Sequence, residues 1–236
     1  MKTIEVCLTP ELLRQHSIVE KVAVVVDVLR ASSTMITAFA HGLDRLMPVA
    51  YVEGCVALQR LDYLSAGERD GAKVEGFDFG NSPYDVMNGD LKGKSLAMTT
   101  TNGTLAIEKS KSAKHLLIGA FLNLSALANR IKELNEDTLI LCAGWKGQMN
   151  LEDTLFAGAL TSLLTNDFKI KSDSALAAQL LYKNAQDNLY EVISQTSHAQ
   201  RLNKLSADDD MRFCLKKDEY NVVPYLEDEH LVIHSS

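Results

Sequence analysis

The chain has 236 residues, with 31 Asp and Glu against 24 Lys and Arg, a net charge of −7. That balance gives no basis for long-range attraction to nucleic acid or to an anionic membrane surface, so any anionic ligand must be met by local positive charge. Hydrophobic residues make up 46%, ample for the core of one large α/β domain without metal or disulfide staples.

The N-terminal stretch Met1-Lys2-Thr3-Ile4-Glu5-Val6 places a glutamate where a signal peptide needs an unbroken apolar run, and no segment approaches the length of a membrane span. Cys7, Cys55, Cys142 and Cys214 are scattered with no Cys-x-x-Cys pair, the pattern of free thiols in a reducing compartment. The expectation is a cytoplasmic protein without membrane or nucleic-acid partners, with a homo-oligomer left open.

In chain order, Ile4 to Leu8, Val22 to Val28, Leu46 to Ala50, Ser95 to Met98, Leu116 to Ala120 and Thr138 to Ala143 read as strands. Helical patterns fall between them at Ser33 to His41, Glu53 to Leu64, Thr104 to Lys109, Leu124 to Leu134 and Leu151 to Leu164. This alternation predicts a layered α/β/α architecture on a largely parallel or mixed sheet, one unit over 1–236 that could form two lobes. Ligands would then sit at the carboxyl ends of strands. From Ser172 to Leu205 the pattern is helical; Tyr220 to Tyr225 and Leu231 to His234 read as short extended segments at a sheet edge, where Pro224 is tolerated.

Polar clusters follow several of these strands. Val24-Val25-Val26 runs into Asp27, Arg30 and the hydroxyls of Ser32, Ser33 and Thr34, a strand delivering a helix start whose free N–H groups favour an anion. Asp27 would repel a phosphate unless a cation lay between them, which suggests a divalent metal; the competing reading is an ordinary capped helix. Ala66-Gly67-Glu68-Arg69-Asp70-Gly71 and Gly76-Phe77-Asp78-Phe79-Gly80-Asn81-Ser82-Pro83 read as irregular backbone close to a ligand or as a solvated loop.

Thr99-Thr100-Thr101-Asn102-Gly103-Thr104 repeats the strand-to-hydroxyl logic, again with a helix cap as the alternative. Cys142-Ala143-Gly144-Trp145-Lys146-Gly147 ends a strand in a glycine loop. Glu152 and Asp153 then open the next helix, either as favourable charges at its N-terminus or as metal ligands. Ser197-His198-Ala199-Gln200-Arg201 and Asp208-Asp209-Asp210-Met211-Arg212 offer two arginines and a histidine that could equally be surface residues. A thiol phosphatase loop is disfavoured, because Gln148 stands where the arginine following Cys142 would be needed, and a phosphoaspartyl motif is disfavoured by Leu29 two positions after Asp27.

Taken together, Asp27-Val28-Leu29-Arg30-Ala31-Ser32-Ser33-Thr34, Ala66-Gly67-Glu68-Arg69 with Gly76 to Pro83, Thr100 to Thr104, and Cys142-Ala143-Gly144 with Leu151-Glu152-Asp153 and Ala157-Gly158-Ala159 resemble one family. It is that of the magnesium-dependent 2-phosphosulfolactate phosphatases of the ComB type. The resemblance runs from Val22 to Pro224; Ser32 stands where the family often has threonine, keeping the hydroxyl.

The resemblance implies hydrolysis of (2R)-phospho-3-sulfolactate to 3-sulfolactate and phosphate with Mg²⁺ as cofactor. On this reading Asp27, Arg30 and Glu68 are the catalytic candidates, and Asp27 with Glu152 or Asp153 the metal ligands. Ser32, Ser33, Thr34, Arg69, Asn81, Ser82, Thr100, Thr101, Asn102, Gly103, Thr104, Arg201 and Arg212 are the candidates for binding the anionic ester. Two alternatives stay open: a phosphatase for another small phosphorylated carboxylic acid, and a non-catalytic protein that binds an anionic metabolite.

Overall fold

The computed structural model describes residues 1–69, 71–203 and 207–234, so the expected helical stretch is followed to Asn203 and its end at Leu205 lies outside the described residues. The strands are β1 (Lys2–Cys7), β2 (Val22–Val26), β3 (Arg45–Pro48), β4 (Leu64–Arg69), β5 (Ala72–Lys73), β6 (Ser95–Thr99), β7 (His115–Gly119), β8 (Thr138–Cys142), β9 (Phe168–Ile170), β10 (Tyr225–Glu227) and β11 (His230–Val232). The helices are α1 (Ala31–Ala40), α2 (Val52–Gln59), α3 (Pro83–Met87), α4 (Gly103–Ser110), α5 (Leu124–Leu134), α6 (Leu151–Leu164), α7 (Asp173–Ala185), α8 (Leu189–Ser194), α9 (Ser197–Asn203) and α10 (Asp208–Cys214).

All five residues of β2 are buried, as befits a parallel strand covered on both faces. Val22, Val24 and Val26 join Ile4, Val6 and Ile140 in a core closed by α5, α6 and α7, while Val25, Leu139 and Leu141 face the opposite core with Met35 and Ile36 of α1 and Ile107 of α4. The period-2 alternation along the strands thus builds the expected α/β/α layers. Gly158 in α6 is a packing residue: a Cβ there would come within 2.0 Å of the Ala178 carbonyl oxygen of α7. The four cysteines are buried free thiols, and among the described residues no helix is long and apolar enough to cross a membrane.

The sheet has eleven strands in the order β5-β4-β6-β3-β11-β10-β7-β2-β8-β1-β9. Two parallel blocks, β4-β6-β3 and β7-β2-β8-β1-β9, are joined by the antiparallel hairpin β10–β11. This corrects the expected edge position of the C-terminal segments: the hairpin lies in the middle of the sheet. Pro224 is accommodated there because it precedes β10 and takes part through its carbonyl, which accepts a hydrogen bond from the Ile118 N–H at 2.9 Å.

The expected helix from Glu53 to Leu64 stops at Gln59, after which Asp62 turns the chain in the left-handed region (φ 62°) and Leu64 enters β4. Residues 66–69, read as irregular from their glycine and charges, belong to β4, Ala66 and Gly67 pairing with β6 and Glu68 and Arg69 with β5, and Gly67 is required by proximity. A Cβ there would lie 2.8 Å from the Thr99 carbonyl oxygen and 3.0 Å from the Phe77 ring.

In a flat sheet the five strand spacings between β6 and β2 would amount to roughly 24 Å. Nevertheless the start of α4, which follows β6, touches the end of β2 and the start of α1. The sheet therefore bends round α1 and brings strand ends from both parallel blocks to one place. Each side of the inserted hairpin is joined to its neighbour through one paired position, Tyr225 with Leu117 and Leu231 with Leu46.

Candidate active site

A narrow cleft lies where these strand ends converge, lined by Asp27, Leu29, Arg30, Glu68, Gly71, Asn81, Thr100, Thr101, Asn102, Trp145, Lys146, His198, Arg201 and Leu202. Asp27 directly follows β2 and is 6% exposed. Its backbone is fixed by a reciprocal pair, its N–H donating to Ser32 Oγ at 2.9 Å and its carbonyl accepting from the Ser32 N–H at 2.9 Å. Burial pushes its carboxyl up to about 6, with the charges of Glu68 and Glu152 acting in the same direction and His198 and the Ala31 N–H opposing them.

The hydroxyls after Asp27 point elsewhere than their sequence position suggests. Ser32 braces the turn, Ser33 Oγ donates to the Val28 carbonyl at 2.8 Å, and Thr34 is fully buried; none of the three lines the cleft. Helical geometry turns successive residues by about 100°, so hydroxyls adjacent in sequence cannot all face one ligand. Arg30 reaches the cleft with its guanidinium ion-paired to Asp210, whose other oxygen accepts from Ser82 Oγ at 2.6 Å. Ser82 also caps α3 and stays out of the lining, whereas Asn81 lines it with an Oδ1 that has no partner among the described residues.

On the opposite wall, Glu68 accepts at Oε1 from the Thr101 N–H (2.9 Å) and Oγ1 (2.8 Å) and at Oε2 from the Gly71 N–H (2.7 Å). Burial would raise its pKa, but these donors outweigh that and hold the carboxyl below its ordinary value. Arg69 is turned away, donating to the Glu68 carbonyl and to Thr99 Oγ1. Thr100, Thr101 and Asn102 lead into α4; Thr104 bonds back to Thr100 and lies beneath the lining. Gly103 packs so closely that a Cβ would meet Ala31 Cβ at 2.7 Å and Asp27 Oδ2 at 2.9 Å.

The remaining wall comes from a loop and a helix that the sequence reading weighted lightly. Trp145 and Gln148 exchange backbone hydrogen bonds around Lys146 (φ 49°) and Gly147 (φ 78°), a two-residue turn with both central residues left-handed. The turn is tied to α4 by the Lys146 N–H, 3.4 Å from Asn102 Oδ1. It sets the Trp145 indole against His198, with ring centroids 5.8 Å apart and planes 17° from parallel, and beside the Arg201 guanidinium 5.3 Å away. The single tryptophan flanked by two glycines was the available signal for this wall.

The three proposed metal ligands separate by environment. Asp153 is committed to backbone: its Oδ1 accepts from the Val28 N–H at 2.8 Å and its Oδ2 from the Gly144 N–H at 3.1 Å, so it ties the end of β2 to the loop after β8. Glu152 is fully buried, with Oε1 2.5 Å from His198 Nδ1 and Oε2 without a partner among the described residues; it lines an adjoining cavity behind Trp145 and His198. Asp27 alone of the three faces the cleft, and among the described residues no three His, Cys, Asp or Glu side chains converge on one point. The donor set nonetheless fits Mg²⁺, which takes one or two protein carboxylates and keeps its remaining positions for water and substrate oxygens. Arg212 is remote: it is exposed, ion-paired to Asp208 at 2.8 Å and laid on the Tyr190 ring at 3.7 Å.

A family model described as 2-phosphosulpholactate phosphatase matches residues 7–229. The chain belongs to this family. Similar proteins include one from Caldanaerobacter subterraneus subsp. tengcongensis, 39% identical over 220 residues that cover 91% of each chain. Another, from Caldicellulosiruptor saccharolyticus, is 40% identical over 205 residues, 83% of this chain and 85% of its own. A third, from Thermotoga maritima, is 39% identical over 207 residues, 87% of this chain and 89% of its own. Each bears the name "Probable 2-phosphosulfolactate phosphatase". Within this phosphosulfolactate phosphatase chain the family match spans every strand end that reaches the cleft.

Proposed function

We propose that the protein is a phosphomonoesterase that hydrolyses (2R)-phospho-3-sulfolactate to 3-sulfolactate and phosphate. One observation carries the site assignment: Asp27, a buried carboxylate with its charge destabilised by burial and by two neighbouring carboxylates, opens onto a cleft whose opposite walls supply Arg30, Lys146 and Arg201. A negative charge so placed calls for a cation, and a cation so placed calls for an anionic substrate.

Asp27 is the residue that would hold Mg²⁺, and the chemistry that ion supplies is neutralisation of charge on the phosphoryl oxygens. The Thr100 hydroxyl and the N–H groups at the start of α4 that are not already bonded to Thr100 orient those oxygens, while Thr101 spends its donors on Glu68. Attack of water on phosphorus forms one P–O bond as the ester P–O bond breaks, and the departing alkoxide needs a proton. His198, held through Nδ1 by Glu152, moves that proton at its Nε2. The ion pair with Asp210 holds the Arg30 fork at the mouth of the site, and Leu29 and Leu202 exclude bulk water from one side.

The test is phosphate release from racemic 2-phosphosulfolactate with and without Mg²⁺. Release that stops at half the ester and disappears with chelator is expected. Full activity in excess chelator would remove the metal from the mechanism, and tight binding of the ester without release over hours would leave a binding protein.

A further inference from the structure

The substrate of the proposed reaction carries more than one anionic group, and the cleft divides its positive charge unevenly between them. Arg30 is neutralised by Asp210, both side chains about nine-tenths buried, and Arg69 spends its donors on Thr99 and the Glu68 carbonyl. The carboxylates Asp27 and Glu68 line the same cleft. Two cations on the Trp145 wall are uncommitted. Lys146 Nζ lies 5.4 Å and Arg201 Cζ 5.3 Å from the indole centroid, and among the described residues neither is paired with a carboxylate. Arg201 Nε is buried and has no hydrogen-bond partner among the described residues.

From this placement we infer that Lys146 and Arg201, mounted on Trp145, bind the sulfonate of the substrate and so set its specificity; the inference rests on the function proposed above. A sulfonate is a permanent, weakly hydrated monoanion with three oxygens and no proton to exchange, so it is recognised by donors and charge alone. The guanidinium is a planar fork that can engage two of those oxygens, and it is less strongly hydrated than an ammonium, which suits such an anion. The ammonium of Lys146 adds a point charge. The backbone that carries it is fixed by the Lys146–Gly147 turn and by the bond from the Lys146 N–H to Asn102, whose neighbours Thr100 and Thr101 line the same cleft. The indole lies beside both cations and shelters the half-buried Arg201 guanidinium, while the Lys146 ammonium stays exposed at its edge.

The experiment compares three esters on the wild type and on Lys146→Gln, Arg201→Met and Arg201→Lys: 2-phosphosulfolactate, 2-phospholactate, which lacks the sulfonate, and 2-phosphooxyethanesulfonate, which lacks the carboxylate. The expected result is a fall of about 100-fold in the ratio of kcat/KM for each sulfonated ester to that for 2-phospholactate in Arg201→Met, with partial recovery in Arg201→Lys. Equal losses on all three esters would make the pair a phosphate or structural element and overturn the inference. Losses confined to the two carboxylate-bearing esters would make it a carboxylate site and also overturn it.

Calorimetry with the products gives an independent reading. Sulfolactate should bind the wild type more tightly than lactate, and Arg201→Met should abolish that difference; equal binding in the wild type would overturn the inference. An absence of phosphate release from every ester would refute the proposed hydrolysis while leaving this binding difference measurable.

Discussion

Gly103 at the start of α4 and Asp27 at the end of β2 are in such close contact that a Cβ on Gly103 would lie 2.9 Å from Asp27 Oδ2. The added methyl of Gly103→Ala would also meet Ala31 Cβ at 2.7 Å, so α4 or the turn after β2 must move. Overpacking of this kind costs on the order of 1–3 kcal/mol. The expected outcome is a folded protein with a lower denaturation midpoint and at least tenfold lower kcat/KM in the phosphate-release assay; unchanged activity would show that this contact does not set the site.

Asp27→Asn should give an inactive protein that is more stable than the wild type in metal-free buffer at neutral pH. The carboxyl stands at about 6 in the fold against 3.8 for the free side chain, so the folded state holds the proton more tightly than the unfolded chain. Stability of the wild type therefore falls as pH rises from about 4 to about 6, and the loss persists above that. The amide removes this contribution, an advantage on the order of 2–3 kcal/mol at pH 8 that vanishes below pH 4. Urea denaturation of both proteins in chelator across this range measures it. Mg²⁺ should raise the wild-type midpoint and leave that of the variant unchanged.

His198→Gln separates proton delivery from packing. The loss in kcat should be about 100-fold on an alkyl phosphate, whose leaving oxygen needs a proton. It should be much smaller on an aryl phosphate with an acidic leaving group. Equal losses on the two esters would assign the Glu152–His198 contact a structural role.

Arg212→Ala should leave kcat/KM within about twofold of the wild type. Its guanidinium sits on Tyr190 and Asp208 at the surface, outside the cleft, and a solvent-screened pair of this kind contributes little to stability. A tenfold loss of activity would place it at the site after all.

Glu5, three residues into β1 from Lys2, is a structural anchor remote from the cleft. Burial works against its charge, but Lys21 at 2.7 Å, His16 at 3.1 Å and Lys171 at 3.2 Å bring its carboxyl down to about 2. A value below that of the unfolded chain means stability that is fully present above about pH 4.5 and is lost as pH falls towards 2. Glu5→Gln should therefore destabilise the protein at pH 7 by about 2–3 kcal/mol, leaving Lys21 half-enclosed without its partner, and the difference should shrink in acid. Chemical denaturation at pH 7 and pH 3 reads both effects.

Much of the site was legible locally, because each cluster is a strand end followed by a turn, and that grammar is written in consecutive residues. The strands read over Val22 to Val28, Ser95 to Met98 and Thr138 to Ala143 are found at Val22–Val26, Ser95–Thr99 and Thr138–Cys142, and each delivers polar groups at its end. Side-chain direction was less legible. Ser32, Ser33 and Thr34 look like ligands in one dimension, but Ser32 and Ser33 are internal braces and Thr34 is buried away from the cleft, and Asp153, charged and adjacent to Glu152, spends both oxygens on backbone amides. The partners that decide these directions, such as Asp210 for Arg30 and His198 for Glu152, are 180 and 46 residues away.

The sequence by itself determined the alternation of strands and helices, the two buried faces of β2, and the chemistry at each strand end, since hydrophobic period and cap residues act within a few positions. Tertiary structure decided which of those ends meet. The C-terminal hairpin, β10 with β11, slots between two parallel blocks that are built from earlier residues, and the resulting bend folds the end of β6 over the end of β2. No local pattern encodes that insertion, because its register rests on single pairings with β7 and β3 more than 100 residues distant in the chain.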